Sequence, residues 1–280
     1  MTGALVLGGG GVAGVAWTTG LLTGLAEAGQ DVSGAELIVG TSAGATVAAQ
    51  VGSGLSLADL YLRQVEPELQ AAEIVVEVDR ATLASAMAAA VRNASSALEV
   101  RRAVGRLALE AGTVSEAERR AVIESRLPCH EWPARAVKIV AVDAESGEPR
   151  VFDGESGVSL VDAVAASCAV PGVWPPVTIG GRRYVDGGVR SHTNADCAAG
   201  ASRVLVVAPT GPPSPMPSEK PLTEVIEELR AGGSEVAVVE PDDAVRLAIG
   251  GNALDPATRG PAAEAGRAQG RRLQIEWKKA

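Results

Sequence analysis

The chain is predicted to be an α/β protein, a three-layer α/β/α arrangement on a mostly parallel central sheet. Three observations carry that expectation. Within the first fifty residues, two short apolar runs each break into a glycine-rich turn and then open a stretch of helical length. Strand-length apolar runs resume near residue 137 and are interleaved with helical segments. The 280 residues are 46% hydrophobic and 21% charged, a balance that suits a well-cored globular chain and excludes a disordered one.

Residues 4–7 form an apolar run that ends in glycines, the pattern of a buried strand, and residues 15–28 have helical length and stop at Gly29. A second strand, 36–39, runs into Gly40-Thr41-Ser42-Ala43-Gly44, and the small residues 45–51 behind it suit a helix. From 57 to 127 the pattern is helical, an insert or cap within a single domain spanning residues 1–280. Ser115 with Glu118 three residues on makes a capping box for a helix reaching about residue 127. Strands follow at 137–142, 151–152, 177–179, 184–185 and 204–208. Six prolines mark 209–221 as an exposed loop, before a helix at 222–230, a strand at 235–239 and further helix.

Composition excludes several function classes. Twenty-five basic against 34 acidic side chains give a net charge of −9, which argues against nucleic acid or an anionic membrane held by bulk charge. With 2% aromatic residues, base-stacking platforms have almost nothing to be made from. The first charged residue is Glu27, so the N-terminal stretch resembles a signal peptide or a spanning helix in charge alone. It lacks a basic start and holds eight glycines, four of them consecutive from Gly8 to Gly11, which suits neither. Cys129, Cys168 and Cys197 form no CxxC pair and read as free thiols. A cytoplasmic protein is expected.

Gly40-Thr41-Ser42-Ala43-Gly44 fits GxSxG between a strand and a helix. Such a turn lifts a serine hydroxyl above the sheet edge, and the helix behind it aims its N-terminus at the nucleophile. Gly9-Gly10-Gly11-Val12-Ala13-Gly14 also fits GxGxxG, the dinucleotide-binding pattern. That use needs an acid at the end of the second strand, where the GxSxG turn stands; Glu36 begins that strand instead. The same amides can hold the oxyanion of a tetrahedral intermediate, and Ser42 favours this use.

A serine nucleophile needs a base, and the chain has two histidines. His130 lies in a loop-like Cys129-His130-Glu131-Trp132-Pro133 and reads as structural. His192 follows Asp186-Gly187-Gly188, a turn at the end of a strand. Alone, Asp186 reads as an Asx-turn residue. Beside two glycines it can approach another backbone closely and reach a serine hydroxyl directly.

The ordered set resembles the patatin-like phospholipases, over roughly residues 4–208. The run from Leu5 to Gly14 is similar to that family's glycine-rich oxyanion loop, and Gly40–Gly44 to its nucleophile elbow. Ala166-Ser167-Cys168-Ala169-Val170-Pro171-Gly172 with Trp174-Pro175-Pro176-Val177 resembles the segment leading to the catalytic aspartate, and Tyr184-Val185-Asp186-Gly187-Gly188 its DGG motif. The resemblance implies a lipase or phospholipase A-type serine acyl hydrolase with Ser42 and Asp186 as a dyad. It implies an oxyanion hole from Gly9, Gly10, Gly11 and Gly14, and no cofactor. The family loop usually carries Arg or Lys before its last glycine, where this chain has Ala13.

Asp186 is then expected to take the Ser42 proton as Oγ attacks a lipid ester, with an acyl pocket lined by Ala, Val and Leu from the 57–127 region. An acyltransferase of the same fold and a noncatalytic lipid-binding protein are the alternatives. Asp186, His192, Asp196 and Cys197 cluster in sequence, but a solvated loop explains them and no metal is expected. The basic tail (Arg267, Arg271, Arg272, Lys278, Lys279) reads as a solvated helix face, with peripheral contact to an anionic lipid surface as its other use.

Overall fold

A computed structural model describes residues 2–75, 79–209 and 220–278. The first strand, β1 (Gly3–Leu7), is apolar at every position after Gly3 because both of its faces are covered. Leu5 and Leu7 enter one core cluster with Trp17 and Leu21, and Ala4 and Val6 enter a second with Val225, Ile226 and Leu229. The other strands are β2 (Leu37–Gly40), β3 (Ala136–Asp143), β4 (Pro149–Phe152), β5 (Val177–Ile179), β6 (Arg182–Asp186), β7 (Arg203–Val207) and β8 (Glu235–Val239). Hydrogen-bonded neighbours run β5-β6-β3-β2-β1-β7-β8, with β4 also on β3. The pairs from β3 through β8 along that path are parallel, whereas β4, β5 and β6 pair antiparallel. The expected mostly parallel sheet is present, with an antiparallel flank.

Helices α1 (Gly11–Glu27), α2 (Ala43–Val51), α3 (Leu57–Val65), α4 (Arg80–Val91), α5 (Ala97–Glu110), α6 (Glu116–Arg126), α7 (Leu160–Ser167), α8 (Leu222–Ala231), α9 (Asp243–Ile249) and α10 (Arg259–Arg272) complete the layers. Helix α1 is buried from Val12 to Leu25 because α10 lies along it, glycine against backbone: Gly20 faces Ala263, and Gly266 faces Trp17. Within the stretch expected as a helical insert, α3 packs on α1 and α10, α4 pairs with α5, and α6 packs on α7. The capping box at Ser115 and Glu118 is formed and starts α6. No helix of the described residues is long and apolar enough to cross a membrane. Most of the expected proline-rich loop, residues 210–219, lies outside the described residues.

The register of β3 positions the site. Ile139 on β3 pairs with both Gly40 and Phe152, so β2 and β4 occupy opposite edges of β3. Ala141 pairs with both Arg150 and Asp186, so β6 shares the edge used by β2. Strands β2 and β6 therefore run toward each other along one edge and stop on either side of Val140. The turn after Gly40 and the turn after Asp186 must meet there.

Candidate active site

Ser42 leaves β2 and caps α2 with φ 54° and ψ −117°, a conformation few non-glycine residues adopt. The surroundings hold it there. Its N–H donates to Ser167 Oγ at 2.9 Å, its carbonyl accepts from Cys168 Sγ at 3.2 Å, and Ser167 Oγ donates to the Val140 carbonyl at 2.6 Å. Ser167 thus fills the gap between the two converging strands. The turn is tight enough to exclude a side chain at Gly44, where a Cβ would lie 1.9 Å from the Leu7 carbonyl oxygen.

Asp186 ends β6 and is 5% exposed. Its N–H donates to the Ala169 carbonyl, and its Oδ1 accepts from the Gly188 N–H at 2.7 Å. Among the described residues, Oδ2 is buried with no hydrogen-bond partner. Burial pushes the carboxyl up to about 6, against the opposing pull of the nearby Ser42 hydroxyl and the Gly188 N–H. The hydroxyl is thus close enough to act on the carboxyl, although no hydrogen bond closes between them. Gly187 permits this approach, since a Cβ there would lie 2.2 Å from the Val140 oxygen.

Of the four glycines expected to supply oxyanion donors, two have their amides engaged. Gly9 N–H donates to the His192 carbonyl at 2.8 Å, and Gly14 N–H to the Gly10 carbonyl at 2.8 Å. The ladder of β1 continues through Gly8 and Gly9, and Gly14 already belongs to the first turn of α1. Among the described residues, the amides of Gly10 and Gly11 meet no acceptor. Gly10 caps α1, and Gly11 lines the cavity at Ser42, so the open donors belong to a 17-residue helix aimed at the serine. Ala13, at the position of the family's basic residue, is fully buried.

His130 sits on the exposed side of α6, its Nε2 3.1 Å from the Glu124 carbonyl oxygen. His192 contributes its carbonyl to Gly9, and burial lowers its pKa. Asn194 is a site residue that sequence reasoning missed. Fully buried at φ 49°, it donates from Nδ2 to Thr41 Oγ1 at 3.0 Å and to the Ser191 and Gly187 carbonyls at 2.8 and 3.3 Å. It fastens the Ser42 turn to the Asp186 turn.

Five arginines take on new meaning in the folded chain. In the basic tail, Arg267 and Arg271 pair with Glu27, and Arg272 with Asp242, so these charges are held by the protein itself. Arg119 lines the cavity at Ser42 together with Arg126, Glu73, Trp174 and Leu254. Among the described residues no group of three or more His, Cys, Asp or Glu is arranged to hold a metal ion.

Among solved structures the chain is similar to VipD from Legionella pneumophila, at 11% identity and TM-score 0.44 over 96% of this chain and 66% of that one. It is similar to the type III effector ExoU at 15% identity and TM-score 0.38, over 98% of this chain and 54% of that one. Full-length ExoU with SpcU, from the type III secretion system of Pseudomonas aeruginosa, gives 16% identity and TM-score 0.33, over 99% and 53%. The chain spans about two thirds of VipD and about half of ExoU. No curated protein matches. A family profile described as patatin-like phospholipase matches residues 5–199, more than half of the chain. The match takes in every residue named at the Ser42 cavity except Leu254. The chain belongs to the patatin-like phospholipase family.

Proposed function

We propose that this protein is a serine acyl hydrolase that cleaves carboxylic esters of lipids through an acyl-Ser42 intermediate, with Asp186 as the base. The observation that carries this is the buried, unpartnered Oδ2 of Asp186 beside the Ser42 hydroxyl. A carboxylate ordinarily near 3.8 is a poor base for a hydroxyl; burial moves it to about 6 and strengthens it. Ser42 Oγ attacks the ester carbonyl carbon while its proton passes to Asp186. The carbonyl oxygen takes the negative charge and is met by the amides of Gly10 and Gly11. The intermediate collapses, the carbon–oxygen bond to the alcohol breaks, and the alcohol takes the proton from Asp186. Water then attacks the acyl carbon, gives a proton to Asp186, and releases the acid as that proton returns to Ser42 Oγ.

The acyl chain needs an apolar lining. An open groove of about 1010 Å3 runs between α4 and α5 and is bordered by Leu83, Ala86, Leu107, Val114 and Val173. Val173 belongs to the same turn as Val170 and Trp174, which line the cavity at Ser42. This groove supports an acyl pocket drawn from the 57–127 region.

The test is hydrolysis of an ester panel of graded chain length, together with labelling of Ser42 by a fluorophosphonate. The Ser42→Ala variant is expected to lose activity by about 10⁴-fold or more. Hydrolysis retained by Ser42→Ala, or failure of Ser42 to label, overturns the proposal.

A further inference from the structure

Glu73 lies on an irregular stretch after the single turn at Pro67–Leu69, yet its side chain is 4% exposed. Three buried guanidinium groups converge on it. Arg126 holds both carboxylate oxygens, with Nε 2.8 Å from Oε1, and Arg259 Nη2 donates to Oε1 at 2.7 Å. Arg119 Nη1 stands 3.7 Å from Oε2, an ion pair without a hydrogen bond. These arginine side chains are 6–10% exposed, and they come from α6 and the start of α10, far apart in the sequence.

The cluster is unbalanced in two ways. Three cations face one carboxylate. Among the described residues, Glu73 is the only acid lining the cavity at Ser42 or the neighbouring cavity that it shares with Arg126. Arg119 also keeps two donors, Nε and Nη1, buried with no hydrogen-bond partner among the described residues, while its guanidinium stacks 3.7 Å over the Trp174 ring. Burial, and after it the neighbouring Arg126, pull its pKa down to about 10 against the opposing effect of Glu73. Buried cations without acceptors are costly unless a ligand completes them.

Space points the same way. The cavity at Ser42 has about 20 Å3 open to a water-sized sphere, room for a water but not for an ester. The cavity on the other side of Glu73, reaching Gln50 and Gln64, is of the same size. Both are bordered by Val12, Glu73 and Arg126, so Glu73 stands in a shared wall between the Ser42 side and the Arg259 side.

We infer that Arg119, Arg126 and Arg259 form a subsite for a phosphate group carried by the ester substrate, and that Glu73 occupies it as an internal competitor. This rests on the reading of Ser42 as the nucleophile. Guanidinium pairs match a phosphate's oxygens as forks, and a phosphate supplies more acceptors and more charge than the one carboxylate it displaces. The substrate's anion both expels Glu73 and fixes the ester beside Ser42.

The test compares kcat/KM for a 1-acylglycerol 3-phosphate with that for the monoacylglycerol of the same acyl chain. Wild type is expected to prefer the phosphate ester by about tenfold or more, Arg259→Gln to lose most of that ratio, and Glu73→Gln to raise kcat/KM on the phosphate ester about tenfold. Glu73→Asp, which keeps the charge on a shorter stem, is expected to give a smaller rise should Glu73→Gln fold poorly. Inorganic phosphate is expected to raise the melting temperature of these Glu73 variants more than that of wild type. Equal kcat/KM for the two esters, with no gain in either Glu73 variant, overturns the inference. So does activation of monoacylglycerol hydrolysis by inorganic phosphate without a preference for the phosphate ester, which would make the anion a free ligand. If no variant shows Ser42-dependent hydrolysis, the acyl hydrolase reading fails, and the melting response to inorganic phosphate still decides whether the arginines bind it.

Discussion

Ser42 is tied to Ser167 through its own main chain: the Ser42 N–H donates to Ser167 Oγ, and that hydroxyl donates onward to the Val140 carbonyl. The bond stabilises the positive-φ backbone at Ser42 from a helix 125 residues along the chain. Ser167→Ala removes the acceptor for a buried N–H, at a cost of about 1–3 kcal/mol in stability. Ser42 then loses its anchor, and kcat is expected to fall by roughly 10–100-fold with KM little changed, since small misplacements of a reacting atom carry costs of that order. Denaturant titration and steady-state kinetics on a soluble ester check both numbers.

With Asp186 as the proposed base, activity is expected to follow the ionisation of its carboxyl. As the base it must be ionised, so kcat/KM is expected to fall on the acid side with an apparent pKa near 6, where burial has moved the carboxyl. A plateau extending unchanged well below about pH 5 would remove Asp186 from that role.

The same burial makes Asp186 a liability for folding. Raising a carboxyl from 3.8 to about 6 costs about 3 kcal/mol in the ionised form. Between about pH 4 and pH 6 the folded chain keeps a proton that the unfolded chain releases, so this contribution weakens stability as pH rises through that window and persists above it. Asp186→Asn is therefore expected to abolish hydrolysis yet melt higher than wild type at neutral pH, with the gap closing below about pH 5. Thermal melts across that range read the difference.

If the proposed Asp186 base works without an imidazole, the histidines should be dispensable for chemistry. His192 meets the glycine-rich loop at Gly9 through its carbonyl, which any residue supplies, and His130 engages Glu124 at the surface. His130→Ala is expected to leave kcat within about twofold, because surface substitutions rarely propagate to a packed site. His192→Ala loses some packing and stability but keeps most of kcat. A loss in His192→Ala as deep as that of Ser42→Ala would replace the dyad with a triad.

The parts of the site that lie in short contiguous stretches are legible in the sequence. Gly40 to Gly44 and Asp186 to Gly188 are turns whose geometry is set locally by glycine and by the strand before them. The glycine-rich loop proposed to hold the oxyanion is legible as a segment but not amide by amide. Whether Gly9 N–H is free depends on the His192 carbonyl, and that contact arises only when β1 and β7 pair. The antiparallel entry of β6 onto the edge used by β2 is hidden for the same reason. Glu73 with Arg119, Arg126 and Arg259 leaves no trace in any window of sequence, because the four side chains come from α6, the start of α10 and the stretch after Leu69, and meet only in the folded chain. Ser167 lies within a motif that the sequence singles out, whereas Asn194 carries no local signal beyond a polar residue in a loop.

Asn194 separates backbone strain from positioning. Its Nδ2 serves Thr41, Ser191 and Gly187, and its φ of 49° is one that alanine adopts only with strain. Asn194→Ala loses both features and is expected to destabilise the fold by about 2–4 kcal/mol, combining unpaired buried groups with backbone strain. Asn194→Gly relieves the strain, about 1 kcal/mol, but restores no donor. If the amide holds the Ser42 turn against the Asp186 turn, both variants share the same depressed kcat although Asn194→Gly is the more stable. Recovery of kcat in step with stability would mean that Asn194 serves folding alone, and that the two turns keep their approach through Gly187 and Ser167 without it.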